Sequence, residues 1–266
     1  MDIVVGLTEH YVLTPYVYKP LVARLASQAN PLVDPLLLDR ADWLPRQALS
    51  VFLSLSVLGF LLYLAIASLT YWFFFIVLKD KFHPDTIPQP KEGQVRREIL
   101  LALWSAPVMA ILTTPVVLLE FMGYSKDYLD ISEYGWGYFF FSIALFLVFT
   151  DTAIYWIHRL EHEIPFLYKY VHKPHHEWIV PTSYAAIAFH PVDGWLQSMP
   201  YHIFVFLFPL QKYLYLGLFV FVQLWTISIH DGVDLSPLSF INGAVCGHPC
   251  GLWASDSALH RHLTIV

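Results

Sequence analysis

Charged side chains are scarce in this chain. They make up 14% of its 266 residues, against about 25% in an ordinary globular domain, which excludes a fold that meets water on every side. The net charge of −6 leaves no electrostatic case for a nucleic-acid partner. Cysteine is nearly absent: Cys246 and Cys250 stand four apart near the C-terminus, and form neither a disulfide framework nor a CxxC zinc pair. Residues 1–5 lack a basic stretch followed by a long apolar core, so no cleavable signal peptide is expected. Membrane targeting then rests on internal segments. There is no GxSxG elbow, Walker loop or GxGxxG fingerprint, no internal repeat and no low-complexity tract.

What the chain has instead is apolar length. Hydrophobic residues make up 57% and the mean hydropathy is +0.53. Residues 47–78 carry no charged side chain; about 20 residues cross the ~30 Å hydrocarbon core, so this run predicts one long or tilted helix. A second uncharged run covers 99–119, where Pro107 and Pro115 are expected to kink a membrane helix without ending it. A third, 134–150, is short, and its helix should continue past the membrane edge through Asp151 to His158. Residues 194–211 and 213–229 read as a helical hairpin, crossing fully or inserted part-way. Residues 1–46 are expected to hold no long helix, because Pro15, Pro20, Pro31, Pro35 and Pro45 interrupt them.

The expected fold is therefore all-α and integral to a membrane. About four transmembrane helices, the last two as a hairpin, carry a His-rich helical cap. The chain divides into an N-terminal segment (1–46), two membrane helices with their loops (47–135), a histidine-bearing domain (136–243) and a tail (244–266). Loop 79–98 has five Lys/Arg and loop 120–133 only Lys126, which places the former, and with it the histidines, on the cytoplasmic side. The four basic residues of 1–46 pull the other way.

Thirteen histidines occur, and five of them fall in 158–176. His158 and His162 are spaced i,i+4, so on a helix both rings share a face one turn apart. His172, His175 and His176 combine the same spacing with an adjacent ring. Neutral imidazole suits zinc, copper, iron and nickel; without cysteine nearby, an iron–sulfur or thiolate zinc site is set aside. A site of imidazoles beside a membrane points to non-haem iron and oxygen chemistry, with zinc open on spacing alone. His190 and His230 join as candidates by position. Asp151, Tyr155, His158 and His162 form one helical stripe, which makes Asp151 and Tyr155 candidates to orient an imidazole. Glu161, Glu163 and Glu177 read as a solvated face. His-Arg-Leu-Glu-His has its acid in the wrong place for the H-E-x-x-H geometry of zinc proteases. His202 lies inside the hairpin, where a polar ring needs a partner.

The phrases DTAIYWIHRLEH, KYVHKPHH, AFHPVDGWLQSMPYHIF and LWTISIHDG together resemble the sterol C-5 desaturases of the fatty acid hydroxylase superfamily, over residues 50–243. The resemblance implies an integral enzyme of the endoplasmic reticulum membrane with a di-iron centre. Oxygen and electrons from NAD(P)H, passed through cytochrome b5 and its reductase, would introduce the C-5 double bond of a sterol. It makes His158 and His162 the first histidine box, His172, His175 and His176 the second, His230 a ligand, and His190 a ligand or a support for one. It also implies a third box, H-x-x-H-H, which 244–266 does not contain: His248 stands alone and His260 and His262 are two apart. The ligand set is then incomplete, and the expectation is substoichiometric metal and poor activity. A C-4 methyl sterol oxidase or a fatty acid hydroxylase would use similar boxes. A non-enzymatic truncated isoform that pairs with a full enzyme is the alternative from a different class.

Overall fold

The computed structural model describes residues 2–27, 40–84 and 88–230. The tail, with His248, His260 and His262, lies outside them, as do Pro31, Pro35 and the ring of His230.

The uncharged run at 47–78 becomes helix α2, Leu44–Val77. At 1.5 Å per residue its 34 residues measure about 50 Å, longer than the bilayer core is thick. Trp43 is extended and a proline occupies the first turn, where its missing N–H costs nothing. The helix widens into π turns at Ser54–Leu58 and Trp72–Val77 without ending. Helix α3, Gln94–Phe121, opens after Gly93, whose φ of 72° only glycine adopts freely, and continues through both Pro107 and Pro115. Helix α4, Gly135–Glu163, begins at the start of the apolar run and carries Asp151, His158 and His162 in a single rod. These three helices are long and apolar enough to cross a membrane.

The hairpin follows as α5, Pro191–Leu207, and α6, Lys212–His230. Both arms are shorter than α2 to α4. Helix α5 runs antiparallel along α4, with Phe204 against Phe146 and Phe149. The tip of the hairpin is tied to the connection between α3 and α4. Strand β1, Asp127–Tyr128, pairs in parallel with β2, Leu210–Gln211. Lys126 donates from its backbone to the Val205 carbonyl at 2.7 Å and from its side chain to the Leu207 carbonyl at 3.0 Å. Tyr138 donates to the Pro209 carbonyl at 3.0 Å, and Lys212 pairs with Asp127 at 3.2 Å. The hairpin thus reaches from the histidine end of α4 to its opposite end.

The N-terminal segment departs from expectation. Residues 2–27 form one continuous helix, α1, through Pro15 and Pro20. Pro15 sits within a π-helical stretch, Glu9–Tyr18, whose wider turn relieves the ring's clash with the carbonyl four residues back. Helix α1 packs at the end of the bundle away from the histidines, where Val5 meets Val51 and Val117. Its anchor is Arg46, 3% exposed. The guanidinium meets Glu9 at 2.9 Å and Thr14 at 2.8 Å, and lies 4.5 Å from the Tyr18 ring centre; the Tyr18 hydroxyl bonds Ser50 at 2.8 Å.

Removing one partner of a buried ion pair strands the other. Arg46→Ala is expected to cost about 3 kcal/mol and to loosen α1, read in detergent as faster tryptic cleavage after Arg24 with the helices of the bundle intact.

Candidate metal centre

Helix α4 ends at Glu163 because the next residue but one is Pro165, and the residue before a proline is driven out of the α region. Ile164 is extended (φ −90°, ψ 111°), and the chain doubles back. The returning segment is not the α-helix that the i,i+4 spacing predicts. It is a π turn, Tyr168–His172, followed by a 3-10 turn, Lys173–Glu177. That change of pitch, with Pro174 inside it, sends His176 toward His172 and turns His175 aside.

Four rings converge. The Nε2 atoms of His158 and His162 are 3.1 Å apart, those of His162 and His172 3.1 Å, His162 and His176 3.3 Å, and His172 and His176 2.9 Å. All four ligand atoms lie within 4.8 Å of one another. Metal–nitrogen bonds of about 2.0–2.1 Å place tetrahedral nitrogens about 3.3 Å apart, close to these spacings.

The tautomer at the centre follows from its partner. His172 is fully buried, and its Nδ1 lies 3.0 Å from Asp193 Oδ2. The proton therefore sits on Nδ1, donated to the carboxylate, and the Nε2 lone pair faces the other rings. Asp193 is itself fully buried, and Glu161 is 1% exposed, with Oε2 3.6 Å from His172 Nδ1. Gln197 Nε2 donates to both carboxylates, at 2.5 and 3.2 Å. Among the described residues neither acid pairs with a lysine or arginine, and Glu161 Oε1 has no hydrogen-bond partner. Four imidazole nitrogens at this spacing, with buried carboxyl groups behind His172, fit a cation between those nitrogens.

The other candidates are placed differently. His175 packs edge-on to Phe189, ring centres 5.8 Å apart, outside the four-nitrogen group. His190 caps α5: its Nδ1 accepts from Val192 N–H at 3.3 Å, which puts the ring proton on Nε2. His230 closes α6 by its backbone, with its ring outside the described residues. Asp151 makes no hydrogen bond among the described residues. Tyr155 lies against Trp156 and bonds Arg159. Neither orients a histidine of the group. His202 finds its partner in the Tyr215 hydroxyl at 3.3 Å.

A model of the fatty acid hydroxylase family matches residues 143–262, from within α4 through both histidine pairs and the hairpin, and on past Gly243. The lathosterol oxidase of Rattus norvegicus is 44% identical over 250 residues, 92% of this chain and 76% of its own length. A Delta(7)-sterol 5(6)-desaturase of Gibberella zeae is 49% identical over 191 residues, 72% of this chain and 57% of its own length. A second from that organism is 52% identical over 205 residues, 76% and 56%. This chain belongs to the sterol 5(6)-desaturase family. It spans little more than half the length of these two fungal members. No solved structure matches it at a significant level.

Within this member of the family, three groups carry more than their sequence context suggests. Glu161 is wholly buried although it sits in a charged stretch, Arg159 to Glu163; its nearness to both His158 and His162 on α4 was the available signal. Asp193 stands in the first turn of α5, where an acid also reads as a helix-start residue. Gly194 is required by contact: a Cβ there would lie 1.9 Å from the Phe189 ring, which is the ring that holds His175.

Asp193→Asn removes the acceptor charge that fixes His172. Metal affinity of the purified chain should fall about 10–100-fold, while His190→Asn, which keeps a capping acceptor, should leave it within a few-fold. Equilibrium dialysis with Co2+ measures both.

Proposed function

We propose that the four-nitrogen cluster holds redox-active iron, and that the chain serves the removal of two hydrogens from adjacent carbons of a sterol, forming the C-5 double bond. Convergence of His158, His162, His172 and His176 on one point, at the end of a membrane helix, is the observation that carries this reading. Iron held by these nitrogens supplies the activation of dioxygen. In balance, the sterol loses two hydrogens, dioxygen takes up those together with two electrons and two protons, and two waters leave. The electrons are assigned to cytochrome b5, fed from NAD(P)H by its reductase.

The protein's own groups do the positioning. Asp193 keeps His172 in one tautomer, and Gln197 holds Asp193 and Glu161 together behind that ring. The turn at Ile164–Pro165 returns the second histidine pair onto the first. Helix α4 sets the cluster just beyond its apolar section, where a membrane lipid can present its ring system from the side. We place this end on the cytoplasmic face of the endoplasmic reticulum membrane.

A second reading is a chain that pairs with a full-length desaturase without turning over. That 244–266 holds no H-x-x-H-H favours it, since two irons need more nitrogens than the four that converge among the described residues. Sterol analysis of cells lacking their own C-5 desaturase separates the two. The chain is expected to restore the C-5 double bond about tenfold or more below a full-length relative, and His162→Ala to abolish it. No product from either, with metal still bound by the wild type, would replace the enzymatic reading with the second.

A further inference from the structure

The strap 178–189 links the last nitrogen of the cluster to the carboxylate that orients it. It leaves from Glu177, next to His176, and ends at Phe189, just ahead of His190 and Asp193. Connecting segments ordinarily run over the surface, where water satisfies their backbone. This one is buried: Thr182, Ser183, Ala186 and Ala188 are fully enclosed, and its 3-10 turn, Ser183–Ile187, packs with α2, α3 and α6 through Tyr63, Ala102 and Ile227.

Its polar groups are met from the membrane helices. Three side chains on one face of α3 do most of this. Gln94 donates to the Val180 carbonyl at 2.7 Å, Glu98 accepts a short hydrogen bond from the Thr182 hydroxyl, and Ser105 donates to the Phe189 carbonyl at 2.7 Å. From α2, Tyr63 donates to the Tyr184 carbonyl at 2.6 Å, and Ser68 bonds the Tyr184 hydroxyl at 3.0 Å. Trp178 closes the strap on itself, donating to the Ala188 carbonyl at 2.8 Å.

Glu98 is the anomaly in this set. It has no exposed surface, its partners are Thr182 and Gln94, and among the described residues no lysine or arginine pairs with it. Burying a carboxylate among neutral donors is costly, and an apolar residue would fill the same space more stably. What the carboxylate does is hold Thr182, whose hydroxyl also caps the turn by accepting from Tyr184 N–H at 3.2 Å. The two ends of the strap close on His172 from opposite sides. His176 faces its Nε2 at 2.9 Å and Asp193 its Nδ1 at 3.0 Å.

We infer that Glu98, acting through Thr182, is a positioning residue for the metal centre, setting the path of the strap that brings His176 and Asp193 onto His172. The inference rests on the reading of the cluster as a metal site. It adds a requirement from a helix that supplies no candidate ligand.

The test titrates the full chain in detergent micelles with Co2+ alone, following the visible d–d bands. Glu98→Leu and Thr182→Val should each weaken Co2+ binding about tenfold and alter the band envelope, at unchanged helix content. Glu98→Gln and Thr182→Ser, which keep a hydrogen bond, should stay within a few-fold of wild type. The Glu98→Leu/Thr182→Val double variant should lose less than the sum of the two singles, since both remove the contact they share. A merely structural role would lower the folded fraction and leave affinity and spectrum of the folded chain unchanged, and that result overturns the inference. Thr182→Val, which exchanges one hydroxyl for a methyl group, decides the matter if Glu98→Leu does not fold. A wild type that takes up no Co2+ overturns the metal reading and this inference with it; a wild type that binds, alongside variants that bind identically, overturns this inference alone.

Discussion

Imidazole nitrogens 2.9–3.3 Å from one another must share either protons or a cation. Everything around His172 is arranged to hold that close approach. His172 cannot rotate, because Asp193 fixes one side of its ring and the other three histidines crowd the opposite side. Asp193 cannot retreat, because Gln197 ties it to Glu161 on the neighbouring helix. The bundle buries two carboxyl groups there that have no lysine or arginine partner among the described residues. The proposed cation would complete that balance.

The rest of the fold supplies stiffness to that arrangement. Helix α4 is one uninterrupted rod of 29 residues, so the first histidine pair is fixed relative to the aromatic packing of Phe146 and Phe149 deep in the apolar region. The second pair hangs on a reversal that a single proline enforces. A buried strap then joins it to α5, and the membrane helices α2 and α3 contribute hydrogen bonds rather than ligands. Polar residues inside these apolar helices, such as Tyr63, Glu98 and Ser105, are thus accounted for by one loop that needs partners where solvent is absent.

Apolar run length is a one-dimensional property, and for that reason α2, α3 and α4 were legible from residues 47–78, 99–119 and 134–150. Their ends were less so, since Gln94 and Glu161 extend the helices into polar sequence that hydropathy reads as loop. The pairing of His158 with His162 was legible because a turn of helix repeats at nearly four residues. That of His172 with His176 follows the same spacing through a different local geometry, a π turn passing into a 3-10 turn, and no periodicity announces such a change of pitch. Helix α1 was hidden by its prolines, which a widened turn and a buried arginine accommodate. Glu161 and Asp193 could not have been joined from sequence: they are 32 positions apart, on antiparallel helices, and only the packing of α5 along α4 brings them to the same histidine.

The knot at the far tip of the hairpin carries a consequence for selectivity. Lys126, Tyr138 and the short β1–β2 pairing clamp α5 to the base of α4, so the two helices cannot slide along each other. The height of the cluster above the hydrocarbon slab is thereby constant. A rigid amphiphile whose hydroxyl floats at the headgroup level works like a gauge rod against a fixed mark. Under the proposed function, which of its carbons comes level with that mark would be set by a clamp at the opposite end of α4.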